Sequence, residues 1–197
     1  MEFQIAPGFA EDQRADAARL FWHAFQGKLG LLMRPEAKAL AFFTATLDPA
    51  FAISATALDG TLLGLAGFKT ADGAFAGGNF RDLARVYGTP GALWRAPLLA
   101  LLERTLAPDT LLMDGIFVAE TARGQGIGTA LLDAIKAKAQ ARGLAHVRLD
   151  VIDTNPRARA LYERQGFVAG HTEHLGPLRH LFGFRTVTTM IWAAPPA

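Results

Sequence analysis

The chain contains no cysteine among its 197 residues. That absence excludes disulfide bridges, thiolate metal sites and a cysteine nucleophile, and it suits a reducing compartment such as the cytoplasm. Charge is scarce as well: 19% of residues are charged, the formal balance is +2, and the lysines and arginines are scattered. A nucleic-acid surface needs a concentrated basic patch, so no nucleic-acid partner is expected. No stretch approaches the roughly 18 uninterrupted apolar residues of a membrane-spanning helix. Met1 to Ile5 lack the basic region and following apolar run of a secretory signal. The expectation is a cytoplasmic chain with no membrane partner.

What the chain has in quantity is apolar surface. Hydrophobic residues make up 51% of it, enough to fill a sizeable core and to argue against disorder. With no internal repeat and no low-complexity linker, residues 1–197 read as one domain. Phe3 to Ala6 is a short strand ended by Pro7-Gly8. A helix spans about 11 to 25, with Ala18, Phe21, Trp22 and Phe25 at helical spacing, and another begins near Pro35. Ala50 to Thr56 and Thr61 to Thr70 are strands joined at the hairpin signal Asp59-Gly60. Leu111 to Val118 and Ala145 to Ile152 are strands flanking a helix from Thr129 to Arg142. Pro156 to Gln165 is helical, and two strands, Val168 to Glu173 and Arg185 to Trp192, end the pattern.

Between the strand at Leu111–Val118 and its helix lies Arg123-Gly124-Gln125-Gly126-Ile127-Gly128. Alternating glycines at a strand-to-helix turn leave backbone N–H groups uncovered at the positive end of a helix dipole, a ready site for a diphosphate. A P-loop is excluded, because G-x-x-x-x-G-K-[ST] needs a lysine that is missing. A dinucleotide turn, G-x-G-x-x-G, needs glycine where Thr129 stands, although Asp150 lies at about the distance of a ribose-binding acid.

The pattern [RQ]-x-x-G-x-[GA], met by Arg123, Gly126 and Gly128, is similar to the acetyl-CoA signature of the GCN5-related N-acetyltransferase (GNAT) superfamily. One strand further on, Asn155-Pro156-Arg157-Ala158-Arg159-Ala160-Leu161-Tyr162-Glu163-Arg164-Gln165-Gly166-Phe167 resembles the family's N-x-x-A-x-x-L-Y-x-x-x-G-F segment at every named position. The resemblance is close from Leu111 to Phe167 and elsewhere rests on element order. It implies an α/β fold with a mixed, mostly antiparallel sheet of about seven strands and helices on both faces. Residues 71–109 would form a helical insertion between the third and fourth strands. It also implies acyl-CoA-dependent acetyl transfer to a primary amine, of a small molecule or a peptide, with acetyl-CoA as co-substrate. A non-catalytic acyl-CoA-binding module on the same fold is the alternative.

The resemblance assigns cofactor contacts to the backbone of Ile116, Phe117 and Val118, which composition alone reads as a buried strand. It assigns the same to the turn residues Arg123, Gly124, Gln125, Gly126, Ile127, Gly128 and Thr129, and to Asn155 and Ala158. Asn155 is equally a good helix N-cap with Pro156 at the first helical position, and the two roles are compatible. Tyr162 is the general acid for the departing thiolate, against a packing role beside Leu161. Asp114, which by simple alternation shares a strand face with Ile116 and Val118, is the candidate base, against a structural hydrogen-bonding role. Glu120 sits in the turn, where solvation explains it. No metal is expected: His171, His174 and His180 lack any ligand-spacing partner.

Residues 71–109 are too long for a structureless loop, and Leu93, Trp94, Leu98, Leu101, Leu102 and Leu106 point to at least one helix. Pro90, Gly91 and Pro97 divide the segment. It is expected either to close over the acceptor side against Phe21, Trp22, Phe25, Phe42 and Phe43, or to form a homodimer interface.

Overall fold

The computed structural model describes residues 2–179 and 183–195; His180 lies outside them. Its strands are β1 (Phe3–Pro7), β2 (Ala52–Ala57), β3 (Leu62–Thr70), β4 (Gly73–Ala74), β5 (Thr110–Val118), β6 (His146–Ile152), β7 (Val168–His174) and β8 (Thr186–Ala193). They form one sheet in the order β1-β2-β3-β5-β6-β8-β7, with β4 added to β3. Every pairing is antiparallel except β5 with β6. The tiny β4 makes eight strands in place of about seven. The helical insertion consequently follows β4, so its return joins the fifth strand and not the fourth.

The helices are α1 (Arg14–Met33), α2 (Glu36–Thr46), α3 (Phe80–Ala100), α4 (Ile127–Ala141) and α5 (Pro156–Arg164). One face of the sheet carries α4 and α5, where Leu131, Ile135, Val147, Leu149 and Met190 pack with Tyr162. The other face carries α1, α2 and α3 around an aromatic cluster. Phe21 lies at its centre, with ring centroids 4.7 Å from Phe25 and Phe43 and 5.5 Å from Phe117. Phe75 is laid flat enough on the sheet that a Cβ on Gly67 would fall 2.1 Å from its ring, so only glycine fits there.

Helix α1 runs about two turns past the expected end at residue 25. Gly27 and Gly30 each cost about 1 kcal/mol in helix propensity. Tertiary contacts override that cost: Leu32 and Met33 are buried, the Tyr87 hydroxyl donates to the Met33 carbonyl, and Arg95 Nε donates to the Leu32 carbonyl at 2.7 Å. The insertion is helical as expected, and Asn79 caps it by accepting from Arg81 N–H at 2.8 Å. Its break falls at Gly88, with φ 74°, in place of Gly91.

Two irregularities of β5 shape the site. Opposite β3, Gly67 faces Gly115 and Phe68 faces Met113, so Asp114 is the extra residue of a β-bulge. Opposite β6, pairing runs from Thr110 to Leu112 and stops, although β6 continues to pair with β8 as far as Ile152. Beyond Leu112 the two central strands part, and one backbone edge of β5 is left without a strand partner among the described residues.

Candidate active site

The unpaired end of β5 leads into the glycine turn. Gly124 and Gly126 adopt φ of 79° and 81°, and a Cβ on either would meet nothing within 4 Å, so space for a ligand lies directly against the backbone. The N–H groups from Gly124 to Thr129 make no hydrogen bond among the described residues, and Gly126 caps α4 with no side chain. No acidic residue occupies the first turn of α4. The helix therefore presents uncompensated positive charge to that space. Gly128 has a different reason to be glycine: a Cβ there would sit 3.1 Å from Leu161, where α4 packs on α5. Ile127 anchors the turn in the core, and Thr129 is half-buried.

Arg123 is exposed, its guanidinium 3.2 Å from Glu120 and donating to the Val118 carbonyl at 3.4 Å. Gln125 donates to the Thr121 carbonyl at 3.3 Å, while its own Oε1 is buried without a partner. Phe117 turns its ring into the aromatic cluster, so any ligand contact there uses its backbone. Ile116 and Val118 point to the α4 face and are only partly covered.

On α5, Asn155 Oδ1 accepts from Ala158 N–H at 3.2 Å, which is the capping role; its amide nitrogen makes no bond among the described residues. Ala158 packs partly buried against the core. Tyr162 is 8% exposed, with its ring 5.9 Å from Phe167. Its hydroxyl has no hydrogen-bond partner among the described residues, yet is not among the sealed polar atoms, so it opens onto accessible space. Burial pushes its pKa up to about 12, which keeps the phenol protonated at neutral pH.

Asp114 does not share a face with Ile116 and Val118. The bulge breaks the alternation, and Asp114 lies with Leu112 on the opposite, α1–α3 side of the sheet. There it lines a cavity of about 390 Å³ walled by Phe21, Phe25, Phe42 and Phe43 from the early helices and by Leu83 and Leu99 from α3. Its carboxylate accepts from Ala76 N–H at 3.4 Å and from Arg104 at 3.3 Å. Burial raises its pKa, and the Arg104 charge opposes that rise. Arg104 also bridges to Asp150 at 3.2 Å, spanning the two strands just where they part. Asp150 further accepts from Thr189 at 2.9 Å. This ion-pair web, and not a ribose, is what Asp150 serves in the fold.

Sequence reasoning missed Arg104 and also Lys28, which lies in the unanticipated part of α1 and lines the same cavity. Burial lowers the Lys28 pKa, with the Arg104 charge adding to the effect. No sequence spacing links positions 28, 104 and 114; only the packing of α1 and the α3 return on β5 does. The insertion walls this cavity, but Trp94 takes no part: it is 45% exposed on the outer surface, with Arg95 stacked 4.1 Å away. Trp22 is core, not cavity wall. Among the described residues, no group of histidines and carboxylates could hold a metal, and His171 and His174 are exposed on β7. No helix of the described residues is long and apolar enough to cross a membrane.

A stretch of 55 residues is 47% identical to the mycothiol acetyltransferase of Beutenbergia cavernae, covering 27% of this chain and only 18% of that protein. An N-acetyltransferase structure from Staphylococcus aureus Mu50 is similar with a TM-score of 0.67 at 15% identity, covering 96% of this chain and all of that one. An acetyltransferase structure from Bacillus anthracis strain Ames, solved with acetyl coenzyme A, is similar with a TM-score of 0.50 at 16% identity, covering 73% of this chain and 62% of that one. At these identities the structural likeness speaks for the fold. A sequence model of the acetyltransferase (GNAT) family matches residues 14–167, and with the parted strands and open glycine turn in place, the chain belongs to that family.

Proposed function

We propose that the chain is a single-domain cytoplasmic N-acetyltransferase that moves acetyl from acetyl-CoA to a primary amine. The observation that supports this reading is that the edge of β5 beyond Leu112 has no pairing to β6 and that the N–H groups of Gly124 to Thr129 make no hydrogen bond among the described residues. The residues present fit acetyl-CoA: the turn takes the diphosphate, the amide nitrogen of Asn155 is free to donate, and the backbone of Ile116 to Val118 runs beside the pantetheine arm. When bound, the co-substrate supplies an activated acyl carbon.

Asp114 lies across the sheet from the turn, on the acceptor side. An alkyl ammonium, with a pKa of about 10.4, must lose a proton before it attacks. Asp114 takes that proton, directly or through water. As the C–N bond forms, the nitrogen gives up its second proton to solvent and the C–S bond breaks, and solvent restores the proton that Tyr162 lends to the sulfur. Tyr162 then donates its hydroxyl proton toward the thiolate; at about 12 it acts chiefly as a strong hydrogen-bond donor to the developing negative charge. The aromatic wall excludes water that would hydrolyse the thioester.

The test is thiol release from acetyl-CoA across a panel of small-molecule and peptide amines, beside calorimetry of CoA binding. Amine-dependent release supports the enzyme. Tight CoA binding with no release for any amine would favour the acyl-CoA-binding module.

A further inference from the structure

The chain has five lysines, at positions 28, 38, 69, 136 and 138. Three are engaged. Lys38 lies 5.6 Å from the Tyr87 ring centroid, Lys138 lies 5.6 Å from that of Phe68, and Lys136 pairs with Asp133 at 2.8 Å. Lys28 and Lys69 make no hydrogen bond, ion pair within 4 Å or ring contact among the described residues, and both line the acceptor cavity. They come from separate elements, α1 and β3, and both are half-buried. A cation withdrawn from water without a partner is unfavourable. The charges of Asp150 and Asp114 act on Lys28, and that of Asp114 on Lys69, from beyond contact distance, so the cavity holds a surplus of ammonium groups with no direct carboxylate partner.

The carboxylates on that lining do not supply the missing partner. Asp114 is already engaged by Arg104 and the Ala76 N–H. Glu103 is exposed and pairs with neither lysine. The glycine turn contributes nothing to the lining, so the surplus is not there to hold the diphosphate. A direct carboxylate contact for the two lysines is then left to the acceptor. Because an acceptor needs an amine, the complementary molecule is a zwitterion, with ammonium toward Asp114, carboxylate toward Lys28 and Lys69, and an apolar side chain against the phenylalanines.

We propose that the acceptor is a free amino acid with an apolar side chain, its carboxylate held by Lys28 and Lys69. This rests on the acetyl-transfer reading above. A cavity of about 390 Å³ suits such a molecule. A peptide places its terminal carboxylate far from its amino group and would leave the lysines unmatched.

Matched acceptors test the proposal: phenylalanine against phenethylamine, and leucine against isopentylamine, with kcat/KM corrected for the fraction of neutral amine. Charge-assisted hydrogen bonds contribute about 1.5–3 kcal/mol, so the carboxylated member should be preferred by roughly 10- to 100-fold. Lys28→Met and Lys69→Met should each reduce that preference by about tenfold through the KM of the amino acid. Equal or better turnover of the decarboxylated amines, with lysine variants that leave the ratio unmoved, would overturn it. A second measurement keeps the inference separate from the acetyl-transfer reading. N-acetylphenylalanine and N-acetylphenethylamine are titrated into the CoA-loaded protein. Binding of the first alone, weakened in Lys28→Met, supports the carboxylate site even if no amine releases thiol. Equal binding of both, or of neither, counts against it.

Discussion

On the α4–α5 side of the sheet the core is mostly aliphatic, and the contacts proposed for it use backbone; on the α1–α3 side Phe21, Phe42, Phe43, Phe75 and Phe117 join the leucines and alanines, and the contacts proposed for it use charged side chains. The first side is local. Turn, helix cap and tyrosine lie within Arg123 to Tyr162, so fixed spacing can encode them. The second is assembled from α1, β3, the return from α3 and β5, and no short stretch of sequence contains it. A backbone site tolerates almost any neighbour but not a changed glycine. A side-chain site can be altered one charge at a time.

The largest effect should come from breaking the backbone side. Gly126→Asp forces a non-glycine residue into φ 81° and puts a carboxylate where the turn faces diphosphate. CoA affinity by calorimetry should fall at least about 100-fold. Unchanged affinity in a folded variant would remove the turn from the site. Next comes Asp114→Asn, expected to lower kcat/KM on the order of 10²- to 10³-fold. Asp114 must be deprotonated to act, and burial raises its pKa. The rising limb of the pH profile should therefore lie above the ordinary carboxylate range and vanish in the variant. A retained limb would assign it to the amine alone.

Tyr162→Phe tests whether the local side also supplies a proton. Turnover should fall about 10²-fold with CoA affinity nearly intact. Wild-type turnover, with chemistry rate-limiting, would return Tyr162 to packing against Phe167. The smallest effect is expected at Trp94→Ala. Trp94 lines no part of the cavity, so the KM for amine should not change. Loss of dimer mass by light scattering, if the wild type dimerises, would locate the interface on outer α3.

The same contrast explains what could be read in advance. Element order, the glycine turn and the Asn155–Tyr162 segment were legible because period and spacing are local properties. The last two turns of α1 were not, because Gly27 and Gly30 argue against helix and only Tyr87 and Arg95, far along the chain, overrule them. Lys28 was lost with those turns. Asp114 was chosen for its position but placed on the wrong face, since counting by twos fails across a bulge.

That extra residue in β5 has a consequence for descent. Even-numbered Leu112 and Asp114 look one way, and even-numbered Ile116 and Val118 look the other. On the proposed reading, one strand would serve two different ligands without crossing the sheet. Loss of a single codon there should leave a plausible-looking strand while exchanging what its two halves touch. An alignment that closes this position with a gap would pair cavity-facing residues of one relative with α4-facing residues of another, so relatives should be matched on either side of Asp114 separately.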